Sequence, residues 1–153
     1  MSIKEKLASI GLSLPVASAP VAAYVPAVKS GNLVFTAGQL PVVDGKLVKE
    51  GKVGSDVSAD DAKGLAQLCA LKALAAISLV AELDQIERVV RVGGFVNCAP
   101  GFTAIPGVVN GASELLIKIF GDVNGKHART AVGVAELPLN APVEIEMVVQ
   151  LKN

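Results

Sequence analysis

Tryptophan is absent from this chain, tyrosine occurs once, and a single histidine, His127, is its only imidazole. Each shortage closes a class of chemistry. One histidine cannot build a His-rich metal site, nor supply both acid and base of a two-histidine ribonuclease mechanism. Few aromatics leave little for nucleic-acid bases to stack on. The 14 basic and 14 acidic residues give a net charge of zero with no basic tract, so nucleic acid is not an expected partner. Cys69 and Cys98 lie too far apart in sequence to read as a metal pair. Cys98 has no neighbouring cation to activate it and reads as an inert thiol. The phosphate-cradling glycine loops, HExxH, GxSxG and CxxC are all missing. No apolar run approaches the ~18 residues of a membrane span. The N-terminus lacks the apolar stretch and cleavage site of a secretory leader. A cytoplasmic, reducing location without membrane contact is the expectation.

What the chain has in plenty is small and branched aliphatic residues. Hydrophobic residues make up 52% of its 153 positions, and the mean hydropathy is +0.55. That length suits one domain over residues 1 to 153, with residues 1 to 18 as an N-terminal helix and lead-in. The apolar excess points to subunits that bury part of each other's surface.

Ser2 and Glu5 form a capping-box pattern for a short helix over residues 2 to 11, with Ile3, Leu7 and Ile10 on its apolar face. An irregular lead-in follows at residues 12 to 23. Two strands flank a turn at Ser30-Gly31-Asn32, and Asp44-Gly45 signals a type I′ hairpin. A helix runs from Ser58 to about Leu83, with Ala66, Ala70 and Ala73 allowing close packing on a sheet. A β-branched strand covers residues 86 to 97, and "CAPGFTAIPG" reads as a loop over 98 to 107. A second helix covers 108 to 121. A turn containing His127, expected to be exposed, leads into the final strands "RTAVGVAEL" and "VEIEMVVQL". The sum is an α+β fold with two helices packed on one face of a sheet.

Arg129 stands where the turn becomes a strand, in a stretch poor in charge. On composition it reads as a partner for a nearby carboxylate at a subunit contact, although its planar fork also suits a two-point grip on a ligand carboxylate. Glu144 and Glu146 are two apart on a strand and so share a face, which Val148 continues.

Three blocks carry a family resemblance. "APVAAYVPAVKSGNLVFTAGQLP" resembles the opening A-x-x-x-Y…G-n-x-v…G-Q-x-P block of the RidA/YjgF (endoribonuclease L-PSP) family. "RTAVGVAELPLNAPVEIEMVV" resembles its closing R-x-x-V-x-V-x-x-L-P…E-I-E block without a gap. A weaker match surrounds Asn110 and Glu114. The resemblance implies a chorismate-mutase-like, ferredoxin-like α+β fold assembled as a homotrimer with pockets between subunits. It implies hydrolysis of 2-enamine/2-imine acids to 2-keto acids and ammonia, with a small carboxylate as ligand and no metal or cofactor. Arg129 corresponds to the arginine that holds the substrate carboxylate and Glu144 to the glutamate of the hydrolytic water. Tyr24, Gly38 and Asn110 correspond to further pocket positions. Ala131 stands where many members carry cysteine, leaving only backbone to offer there. The N-terminal helix and the longer loop set this chain in a longer subgroup. The rival readings are RNA cleavage of the endoribonuclease L-PSP type and non-catalytic binding of small carboxylates or keto acids.

Overall fold

The computed structural model describes residues 1 to 20 and 22 to 153. Val21, inside the expected irregular lead-in, lies outside them. The first helix, α1 (Ile3–Ser9), begins as its sequence dictates. The Ser2 hydroxyl accepts from the Glu5 backbone N–H, and the Glu5 carboxylate accepts from the Ser2 N–H. Ile3 and Leu7 are buried, whereas Ile10, expected on the same apolar face, is left exposed beyond the last turn. Two polar ties dock α1: Asp84 Oδ1 accepts from the Ile3 N–H at 2.7 Å, and Lys6 Nζ donates to the Ile119 carbonyl at 2.9 Å.

Five strands form one mixed sheet. They are β1 (Ala27–Ser30), β2 (Leu33–Thr36), β5 (Ile86–Asn97), β6 (Ala128–Val134) and β7 (Val143–Leu151), in the order β1-β2-β7-β5-β6. Only β5 and β6 run parallel. A separate hairpin of β3 (Val42–Val43) and β4 (Lys46–Leu47) turns at Asp44 and Gly45 with φ of 51° and 76°, the left-handed pair that a type I′ turn needs.

Helices α2 (Ala59–Ile77) and α3 (Ile105–Gly125) pack on each other and on one face of the sheet. In β7, Val143, Ile145, Met147, Val149 and Leu151 are buried on that face, and the alternate residues are half-buried on the other. Ala62, Ala66, Ala70 and Ala73 are fully buried in α2, where short side chains let it lie close. Lys72 is buried too, its Nζ donating to the Ser18 hydroxyl at 2.8 Å. Among the described residues no helix is long and apolar enough to cross a membrane.

Both helix boundaries differ from expectation. α2 stops at Ile77 instead of reaching Leu83. The Ser78 hydroxyl donates back to the Ala75 carbonyl at 2.7 Å, and Leu79, just past the helix end, is 58% exposed. The segment Leu83–Gln85 is a separate single turn leading into β5. α3 starts three residues early, and a further helical turn follows the expected end at Gly121. Pro106 sits in its first turn, where a missing N–H costs nothing. The expected loop therefore ends at residue 104. Gly121, with φ of 80°, breaks the helix there, and the residues up to Gly125 form a separate turn beyond the kink.

The α2–α3 contact rests on Gly111. A Cβ there would lie 1.9 Å from the Lys63 carbonyl oxygen, which is backbone and cannot swing away. Gly111→Ala should therefore cost about 1–3 kcal/mol as the helices are forced apart. Gly64→Ala, in the same helix as Lys63 with nothing within 4 Å, should instead stabilise by up to about 1 kcal/mol. Urea denaturation of the two variants checks both; a Gly111→Ala protein of wild-type stability would mean that the helices are not in fixed contact.

Candidate functional site

Strand register places the candidate residues in two groups. Arg129 pairs with Val92 and Ala131 with Gly94 across the parallel β5–β6 ladder. Val92 is fully buried beneath the helices, so Arg129 and Ala131 share the helix-covered face. There Arg129 meets α3. Its Nη1 donates to Asn110 Oδ1 at 2.8 Å and to Ser113 Oγ at 3.2 Å. Asn110 and Ser113 are three residues apart and so line one helical face. Nη1 carries two hydrogens, and these two acceptors take both. Among the described residues no acceptor takes the donors of the edge formed by Nε and Nη2. None of the ion pairs among the described residues includes Arg129, so its partners are neutral and its charge is not offset.

His127 belongs to this group, contrary to its expected place as an exposed turn residue. It is half-buried, with Nδ1 at 2.6 Å from the Gly125 carbonyl and Nε2 at 2.9 Å from Ser113 Oγ. Burial lowers its pKa, the Gly125 carbonyl opposes that, and the Arg129 charge lowers it further. Ser113 was not singled out from the sequence, and His127 was read there only as an exposed turn residue. The signal that could have found Ser113 is its three-residue spacing from Asn110.

Glu144 lies in the second group, on the opposite face of the sheet. Gln39 and Ile145 exchange backbone hydrogen bonds at 2.8 and 3.1 Å, which carries the Gly38-Gln39 segment alongside β7. The Glu144 carboxylate occupies the space that a side chain at residue 38 would need: a Cβ on Gly38 would stand 2.0 Å from Glu144 Oε1. Glu146 similarly lies over Gly93, its cross-strand partner. Burial raises the pKa of Glu144, and the like charge of Glu146 adds to the rise. This face, with Val148, is half-buried and so neither a wet surface nor a closed core.

Tyr24 is 51% exposed. It reaches the same neighbourhood through backbone, because Pro26 accepts a hydrogen bond at 2.8 Å from Ala37, next to Gly38. Glu114 points elsewhere, pairing with Lys63 on α2 at 2.9 Å. Cys98 is half-buried, and burial raises its thiol pKa; contrary to expectation a cation, Lys52, stands near it, but its charge only partly opposes that rise.

The fold thus brings Arg129, Asn110 and Ala131 together, and separately Gly38 and Glu144 with the Tyr24 segment. It does not bring the two groups to each other. Arg129 and Glu144 are two strands apart, about three residues out of register and on opposite faces. Strand spacings put their Cα atoms on the order of 14 Å apart.

The sequence profile of the YjgF/chorismate mutase-like, putative endoribonuclease family matches residues 4 to 151. Protein TCP17 of Trypanosoma cruzi is 39% identical over 152 residues, covering 99% of this chain and 95% of that protein. A 2-iminobutanoate/2-iminopropanoate deaminase of Dermatophagoides farinae is 32% identical over 143 residues, covering 92% and 95%. The crystal structure of a putative endoribonuclease from Shewanella oneidensis MR-1 superposes with a TM-score of 0.93 at 30% identity, covering 99% of this chain and all of that one.

Two substitutions examine the Glu144 environment directly. Glu146→Gln removes the like charge and should move the Glu144 pKa down, toward its ordinary value. Gly38→Ala should displace the carboxylate while leaving the sheet intact. Carboxyl ¹³C NMR titration reads both, and a Glu144 titration unmoved by either change would mean that neither neighbour shapes its environment.

Proposed function

Because the chain belongs to the YjgF/RidA family, we propose that it hydrolyses 2-enamine/2-imine acids to 2-keto acids and ammonia, in a pocket made where two protomers of a homotrimer meet. The observation that carries this reading is Arg129: a guanidinium held at one nitrogen by neutral acceptors, with its Nε–Nη2 edge and its charge left for an anion. A ligand carboxylate fits that edge in two parallel charge-assisted hydrogen bonds. The deaminase from Dermatophagoides farinae supports the choice of substrate class.

One protomer holds Arg129 and Glu144 on opposite sheet faces, so the reading requires a second copy. The half-pocket of Tyr24, Gly38 and Glu144 from one protomer would be laid against the β6 edge of the next, where Arg129, Asn110 and the Ala131 backbone wait. The carboxylate clamp then fixes the imine carbon near Glu144. As water adds to the carbon of the protonated imine, Glu144 takes one of its protons and a neutral tetrahedral amino alcohol forms. Glu144 returns that proton to the nitrogen, the C–N bond breaks as ammonia leaves, and the hydroxyl proton passes to Glu144, so that the C=O of the keto acid forms. A carboxyl with a raised pKa suits both steps, because it accepts a proton and returns it without a large energetic gap. The intermediate is reactive by nature, so orientation and proton transfer are sufficient assistance.

The test couples the protein to a threonine dehydratase that releases 2-iminobutanoate and follows ammonia and 2-oxobutanoate. Two charge-assisted bonds at about 1.5–3 kcal/mol each imply that Arg129→Ala lowers kcat/KM at least 100-fold. Arg129→Lys should recover little, since one ammonium cannot form the fork. Glu144→Gln should keep ligand binding and slow turnover. Sedimentation of the same samples should give trimers throughout. An Arg129→Ala trimer with wild-type activity sinks the clamp, and a stable wild-type monomer sinks the shared pocket. RNA cleavage that survives Arg129→Ala would favour the endoribonuclease reading instead.

A further inference from the structure

Ser113 and His127 have no part in the steps above, yet Ser113 accepts from the arginine that those steps need, and His127 holds Ser113. We infer that they are positioning residues: a hydrogen-bond chain from the Gly125 carbonyl through His127 and Ser113 sets which edge of the Arg129 guanidinium faces the ligand. The inference deepens the carboxylate-clamp reading of Arg129 and rests on it for the ligand but not for the chain itself.

The direction of every bond in the chain follows from chemistry. A carbonyl oxygen can only accept, so His127 Nδ1, at 2.6 Å from Gly125 O, carries a hydrogen. In the neutral ring Nε2 is then bare and accepts. The Ser113 hydroxyl, 2.9 Å away, must donate to it. With its own hydrogen committed, Ser113 Oγ can only accept on its other side, and that is where Arg129 Nη1 lies at 3.2 Å. The sequence of donors therefore runs from Arg129 to Ser113, to His127, to Gly125. A serine inside a helix otherwise tends to turn its hydroxyl back to the carbonyl four residues before it. The imidazole provides the competing acceptor.

The geometric consequence lies in the guanidinium plane. Asn110 alone would hold one hydrogen of Nη1 and leave the group free to swing about that bond. A second acceptor one helical turn away engages the other hydrogen of the same nitrogen. Two anchors on a rigid helix fix the plane, and a fixed plane fixes where Nε and Nη2 point. Among the described residues the hydrogen-bond partners of His127 are Ser113 and Gly125, not the guanidinium. His127 acts through the orientation of one hydroxyl. The partial burial of the ring and the nearby Arg129 charge keep it in the neutral form that the chain requires.

NMR of the ligand-free protein tests the chain without any assumption about activity. Imidazole ¹⁵N shifts should show the hydrogen of His127 on Nδ1. Arg129 should give distinct, slowly exchanging Nη1 and Nη2 signals in wild type, which merge in Ser113→Ala and in His127→Ala. Ser113→Thr, which restores a hydroxyl, should separate them again. A second arm measures 2-oxobutanoate binding: each single variant should weaken it about tenfold, as expected for losing one hydrogen bond to a charged group. The double variant should be no weaker than Ser113→Ala, because His127 acts only through that hydroxyl. A His127 hydrogen on Nε2, or Arg129 signals that stay resolved in either alanine variant, overturns the inference. If Ser113→Ala does not fold, the wild-type tautomer and His127→Ala still decide. Wild-type protein that shows the coupled NMR pattern but binds no keto acid defeats the clamp reading and leaves the positioning chain standing.

Discussion

Strand β7 imposes the constraint from which the rest of the molecule follows. Its side chains alternate strictly, and five aliphatic residues on one face lie in the core beneath α2 and α3. That burial fixes the register, because a slip of one residue would turn all five outward and drive Glu144 and Glu146 into an apolar interior. With register fixed, the carboxylates can only stand on the uncovered face. The segments alongside then make room for them with glycine: Gly38 after β2 under Glu144, and Gly93 of β5 under Glu146. The acidic half of the candidate site is thus a by-product of how the core closes.

The basic half is organised differently. Arg129 comes from an edge strand, and helix α3 gives it two neutral acceptors in place of a carboxylate. The choice matters electrostatically. A carboxylate partner would hold the guanidinium as firmly but would neutralise it, and a ligand anion would have to displace that partner. Amide and hydroxyl oxygens satisfy donors and leave the positive charge unspent. Composition alone favours an arginine that pairs with an acid at a subunit contact. Within the chain its polar partners are neutral.

Much of this was legible in the linear sequence. Period-two alternation announced β7, the β-branched run announced β5 at its observed bounds, Ser2 and Glu5 announced the first helix, and Asp44-Gly45 announced the hairpin. The failures share a cause. The α3 start was hidden because Pro106 reads as a loop residue unless one knows that it occupies the first turn of a helix. The end of α2 was hidden because Leu79 and Val80 continue an apolar pattern that the chain exposes in order to turn toward β5. His127 was misplaced because its partners are a helix serine 14 residues earlier and a carbonyl two residues earlier. Hydrogen bonds of that kind depend on how α3 and β6 meet, which no local spacing encodes.

The separation of the two halves has a physical logic of its own. Arginine and glutamate placed together on one face of one protomer would pair in the empty protein. The pairing would pull the glutamate pKa down and occupy the guanidinium, so that neither group would be ready for a substrate. A sheet between them prevents this. Glu144 keeps the raised pKa that burial and Glu146 give it, and Arg129 keeps its free edge. If the two groups meet only across a contact between copies, the geometry of that contact can bring the ligand's two ends to them from different sides, the carboxylate to Arg129 and the reacting carbon to Glu144. The ligand itself would then stand between the two charges, and its carboxylate would offset the charge of Arg129, which no carboxylate pairs among the described residues.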